Sequence, residues 1–124
     1  MSISPSGNRL ASIEEIRGAL RRFASDRDWD QFHSPKNLAI ALSVEAAELL
    51  EHFQWTLEAD SAGLTREQHT KVREEIADVL LYLIRLADKL DIDLLAAATD
   101  KIRVNAVKYP VEKARGSSKK YTEL

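Results

Sequence analysis

The stretch LSVEAAELLEHFQW, residues 42–55, carries an apolar period that suits a helix, and carboxylates interrupt it. Leu38, Leu42, Leu49 and Phe53 recur at the spacing that puts side chains on one face of an α-helix. At about 100° per residue, Glu45 projects into the middle of that stripe and Glu48 lies at its edge. A charged carboxylate facing a core is costly unless something compensates it. The chain must therefore form a helix here and also supply, or bind, a partner for Glu45.

The same period runs through the rest of the chain. SIEE (Ser12 to Glu15) is a capping box, and Ile13, Ile16, Leu20 and Phe23 follow at helical spacing, so a first helix should fade near Asp28. DWDQFH reads as an aromatic connector. In SPKN, Ser34 is the N-cap and Pro35 the first helical residue of a second helix expected to reach about Leu57. After the loop EADSAGL, the capping box Thr65 to Gln68 opens a third helix to about Leu90. Its apolar face should be Val72, Ile76, Val79, Leu83, Leu86 and Leu90. A fourth helix should run from about Leu94 to Lys108 and stop at Pro110. The expectation is an all-α, four-helix bundle, in which residues 1–11 are a disordered lead-in and 12–110 one helical domain. Residues 111–124 are read as a polar, basic tail, extended or mobile.

Composition limits what such a bundle does. A length of 124 residues suits one domain. A net charge of −2, from 18 basic and 20 acidic residues, argues against a nucleic-acid polymer or an anionic membrane as partner, but not against a small anion held by a few cations. With no cysteine, disulfides, thiolate metal sites and cysteine nucleophiles are excluded, and a cytoplasmic location is expected. No apolar run approaches ~20 residues, and the N-terminus has no secretory pattern.

The third helix repeats the oddity of the second. Glu75 and Asp78 lie one turn apart beside the apolar face, and Tyr82 continues their strip. Two neighbouring antiparallel helices can bring Glu45, Glu48, Glu75 and Asp78 together, and four carboxylates in a small space need a counter-charge. All-oxygen ligation suits magnesium, with manganese as a substitute. A di-iron centre would need Glu-x-x-His pairs, and His52 follows Glu48 by four residues, not three.

E-x-x-E, 26 intervening residues and E-x-x-D, combined with RDWDQFH, FQW, NAVKYP and SSKKYTEL in this order, resembles the MazG-like all-α nucleoside triphosphate pyrophosphohydrolases. The dCTP pyrophosphatase branch is the nearer likeness. The resemblance covers the chain from about Ser12 onward. It implies magnesium on Glu45, Glu48, Glu75 and Asp78, and hydrolysis of a nucleoside triphosphate to monophosphate and pyrophosphate. It also implies a base pocket of Trp29, Trp55 and His33, Tyr82 near the sugar, Lys101 and Asn105 as the matching residues of the fourth helix, and assembly as a homodimer or homotetramer. Vertebrate members have a histidine where Leu20 aligns, so weaker cytosine selectivity is expected here.

The residues support this chemistry on their own terms. Phosphoryl attack needs charge neutralisation and an activated water, and Glu48 is the expected base. Lys101, Asn105 and Lys108 share a stripe of the fourth helix and could meet the phosphates. Lys113, Arg115, Lys119 and Lys120 of the tail could close over them. Tryptophan faces stack bases, worth roughly 1–3 kcal/mol each. The reading is a magnesium-dependent pyrophosphohydrolase acting on dCTP or modified dCTP. The rivals are a dUTP or broad-specificity enzyme of the same fold, a non-catalytic nucleotide sensor, and a helical interaction module that would leave the carboxylates unexplained.

Overall fold

The computed structural model describes residues 9–124, and the lead-in expected over 1–11 lies outside that range as far as residue 8. The described residues are all-α, with no strand among them. They comprise α1 (Ile13–Asp26), α2 (Pro35–Glu51), α3 (Arg66–Lys89), α4 (Leu94–Lys108) and α5 (Val111–Ala114). The described residues up to Asp91 form one compact unit and Ile92–Leu124 a second.

Local chemistry sets the helix ends. Ser12 caps α1 by accepting from the Glu15 N–H. The Glu15 carboxylate reaches back to the Ala11 N–H at 2.5 Å, one residue before the cap, so residue 11 is tied to the helix rather than disordered. At the other end, Trp29 N–H donates to the Ala24 carbonyl and Asp28 N–H to Ser25, the paired bonds of a Schellman motif. Asp28 takes the left-handed position at φ 54°, where glycine is usual. This closure turns the chain sharply and sets Trp29 at the start of a 3₁₀ turn, Asp30–Phe32. Ser34 caps α2 through the Asn37 N–H, with Pro35 in the first turn. Thr65 and Gln68 make the reciprocal capping box of α3.

α1 and α2 both pack on α3. Glu45 of α2 meets Glu75, whereas His33, before α2, meets Arg85, ten residues later on α3. The chain number falls on one helix as it rises on the other, so the pair is antiparallel. Leu38 and Ile84 are fully buried, and Ala24, Val72 and Ala87 are buried as well. The expected apolar face of α3 is only partly inside. Val72 is buried, but Ile76, Leu83 and Leu90 are exposed, and Ile84, Arg85 and Ala87 take interior positions. The reason is that α3 has two neighbours against different sides, so its buried positions leave a single stripe.

α2 stops at Glu51, short of Leu57. His52 and Phe53 bond three residues back, to Leu49 and Leu50, and the chain leaves the helix through these tightened turns. In the second unit, Asp93 caps α4 through the Ala96 N–H. The tail is more structured than expected. It forms α5 and a 3₁₀ turn, Tyr121–Glu123. Tyr109 and Tyr121 meet edge to face at 6.0 Å, with Lys108 Nζ 4.8 Å above the Tyr121 ring.

Candidate active site

α2 and α3 bring Glu45, Glu48 and Glu75 together. One carboxylate oxygen of each lies within 4.8 Å of the others, and all three residues are half-buried. Oε2 of Glu45 and of Glu75 are both buried with no hydrogen-bond partner. Glu45 is pushed up to about 7, first by desolvation, then by the facing carboxyls of Glu75 and Glu48 and the charge of Asp78. Orphaned buried carboxylate oxygens in an all-oxygen set are what a hard divalent cation coordinates, so the residues fit such an ion. Asp78 is exposed and stands outside the tight trio, yet near enough for its charge to act on Glu45.

Beside the carboxylates lies a cavity of about 460 Å³, walled by α1, the connector and α3. Trp29, His33, Asp78 and Tyr82 line it, with Leu10, Leu20, Phe23 and Arg85 among the others. Phe23 braces Trp29 edge to face at 5.6 Å, and Trp29 stands against the His33 ring at 6.2 Å. Trp29 remains 43% exposed, so part of its surface is free to meet a planar ligand.

A second charged cluster lies further along α3, shared with the connector and α1. Arg85 is buried at 5% exposure. Its guanidinium pairs with Asp30, lies 3.7 Å from Asp88 and donates from Nε to His33 Nδ1 at 3.2 Å. Asp30 also takes Lys89 at 2.9 Å, and Asp88 takes a two-pronged grip from Arg21 at 2.7 and 2.5 Å. Lys89 and Arg85 hold the Asp30 carboxyl below its ordinary value, and Arg21 does the same for Asp88. The sequence reading missed this network. Its one local signal was an arginine set inside the apolar run LLYLIRLA.

The residues expected to act are placed unequally. Glu45, Glu48 and Glu75 converge, and Asp78, Trp29, His33 and Tyr82 share the cavity wall. Trp55 does not join them. It lies beyond the early end of α2, 88% exposed and outside the cavity lining. Lys101 and Asn105 are exposed on α4 in the second unit, and Lys108 is engaged by Tyr121. Leu20, aligned with a histidine in the family likeness, lies in the cavity wall and offers it no polar group.

Known proteins resemble this chain over most of its length. Residues 40–124 match the MazG-like family. The human protein dCTP pyrophosphatase 1 is 43% identical over 115 residues, covering 91% of this chain and 68% of the relative. The bovine protein of the same name is 40% identical with the same coverage. Among solved structures, a pyrophosphatase from Archaeoglobus fulgidus aligns with a TM-score of 0.76 at 41% identity, covering 83% of this chain and 96% of that one.

Proposed function

The chain belongs to the MazG-like family and is a hydrolase of nucleotide pyrophosphate bonds, and on that premise we propose that it converts dCTP to dCMP and pyrophosphate, with magnesium as its cation. The observation that carries this reading is the position of Asp78. It lines the aromatic cavity and also bears electrostatically on Glu45, so a base held in the cavity has its phosphates directed to the carboxylates. Glu45, Glu48, Glu75 and Asp78 would hold the cation, which when bound would neutralise phosphoryl charge. Glu48 accepts the proton of the attacking water. Water oxygen bonds to the α-phosphorus, the bond from that phosphorus to the bridging oxygen breaks, and pyrophosphate leaves.

Trp29 stacks the base, His33 meets its edge and Tyr82 lies by the sugar. Lys101, Asn105 and Lys108, at i, i+4 and i+7 of α4, are assigned to the leaving phosphates. Trp55 is proposed as a second stacking residue of the base pocket, although it lies outside the cavity lining of this chain. A homodimer or homotetramer is supported by the exposed Ile40 and Val44 of α2 and Ile76, Leu80 and Leu83 of α3, which closed symmetric association would cover. Residues 12–110 are taken as the working domain and 111–124 as its adjunct. A cytoplasmic site of nucleotide-pool sanitation fits the lack of cysteine. No helix among the described residues is long and apolar enough to cross a membrane.

The test is a pyrophosphate-release screen over the common nucleotides with magnesium and with chelator. Release from dCTP that stops on chelation supports the reading, and orthophosphate as product contradicts it. The apolar Leu20 in the cavity wall favours a second reading, wider tolerance of pyrimidine triphosphates including dUTP. The same screen separates the two.

A further inference from the structure

Arg85 holds three partners, and only one of them depends on it alone. Asp30 keeps Lys89 and Asp88 keeps Arg21 when Arg85 is removed, but among the described residues His33 has no other hydrogen-bonding group on its Nδ1. A guanidinium can only donate. The imidazole nitrogen facing it must therefore be an unprotonated acceptor, and the ring proton of neutral His33 must sit on Nε2. His33 lines the cavity, so the nitrogen left for a ligand is a donor.

We propose that Arg85 is a positioning residue for base selection: it fixes His33 as an Nε2–H donor, so the site takes a base presenting an acceptor edge, as the O2 carbonyl of a cytosine does. This rests on the reading of the cavity as the base site. The groups facing His33 agree with it. Burial and the Arg85 charge keep the ring neutral, Lys89 adds to this, and Asp30 opposes it. A histidine without the buried cation would sample both tautomers and would protonate more readily next to Asp30, losing the fixed donor pattern.

Nitrogen-15 NMR of the histidine rings at pH 7.5 tests the proposal on the wild-type protein, with no variant needed. We expect His33 as the neutral Nε2–H tautomer, with its Nε2 resonance shifting on titration with dCMP. Arg85→Met should mix the tautomers and raise KM for dCTP about tenfold, the loss of roughly one hydrogen bond, with kcat within about twofold. Arg85→Lys, which keeps a charge and a donor, should recover part of the KM. His33 found as Nδ1–H, a tautomer unmoved by Arg85→Met, or an unchanged KM overturns the proposal. Pyrophosphate release with His33 insensitive to dCMP overturns it while leaving the proposed function standing. No release, with Nε2 responding to dCMP, overturns the catalytic reading alone.

Discussion

α3 shares two acidic clusters with the elements packed on it, and they are opposites. Toward its middle, Glu45, Glu48 and Glu75 face one another without a cation, and two buried oxygens have no partner. At the end near the connector, Asp30 and Asp88 share Arg85, and each has a second cation of its own, Lys89 for Asp30 and Arg21 for Asp88. The same residue class is driven in opposite directions: Glu45 up to about 7, Asp30 and Asp88 down. A protein that supplies its own cations at one end and withholds them at the other is built to import one. The paired cluster ties the connector to α3, and the unpaired one is where the proposed reaction is assigned.

The largest expected effect breaks the unpaired cluster. Glu48→Gln should cut turnover by roughly 10²–10⁴-fold, the usual value of a general base, while circular dichroism and dCMP binding persist. If turnover survives, another group takes the proton and the assignment of Glu48 is wrong. Breaking the paired cluster should cost stability instead. Arg85→Met should destabilise by less than the ~3–5 kcal/mol typical of removing one partner of a buried ion pair, because Lys89 and Arg21 remain. A urea denaturation series measures it, and a larger loss would mean that the two lysine and arginine partners do not substitute.

The two clusters should also oppose each other in pH. Glu45 has a raised folded value, so the folded state holds the extra proton between about 4.5 and about 7. Cation-free stability should then fall as pH rises through that window. Asp30 and Asp88 have lowered folded values, so their contribution is present above the ordinary 3.8 and is lost as pH falls through the folded values. Melting in chelator from pH 3 to 9 should show loss at both ends, and a monotonic rise to pH 9 would contradict the Glu45 arm. A smaller effect is expected at Trp29. Trp29→Ala should raise KM for dCTP by up to ~100-fold, if about 3 kcal/mol of stacking is lost. Unchanged kinetics would make Trp29 a packing residue. The smallest is at the α3 terminus, where Asp91 sits at φ 55°. Asp91→Gly should change stability by under about 1 kcal/mol, read as a shift in denaturation midpoint.

The sequence disclosed what short-range chemistry decides. Ser34 with Pro35 and Thr65 with Gln68 mark helix starts because a cap and its partner are three residues apart. Glu45 betrayed the site because its misfit is visible against Leu42 and Leu49 alone. What stayed hidden depends on distance in the chain. Arg85 meets His33 across 52 residues and Asp30 across 55, and no periodicity records that pairing. The early end of α2 was missed because the apolar spacing continues to Phe53 although the hydrogen bonding has already tightened. The tail was read from its polarity, which says nothing of the Tyr109–Tyr121 contact that orders it.

The central claim is that the unpaired cluster is a cation site, and the most direct measurement is thermal melting of wild-type and Glu45→Leu proteins at pH 8, in chelator and in magnesium. Magnesium at a hundredfold excess over Kd should stabilise the wild type by about 2.7 kcal/mol, and more at pH 8 than at pH 6. Glu45→Leu should lose that response and, in chelator, be at least as stable as the wild type, because its apolar stripe becomes continuous. A wild-type melt indifferent to magnesium at pH 8, or a Glu45→Leu protein several kcal/mol less stable in chelator, would show that Glu45 has a partner within the fold and would contradict the account.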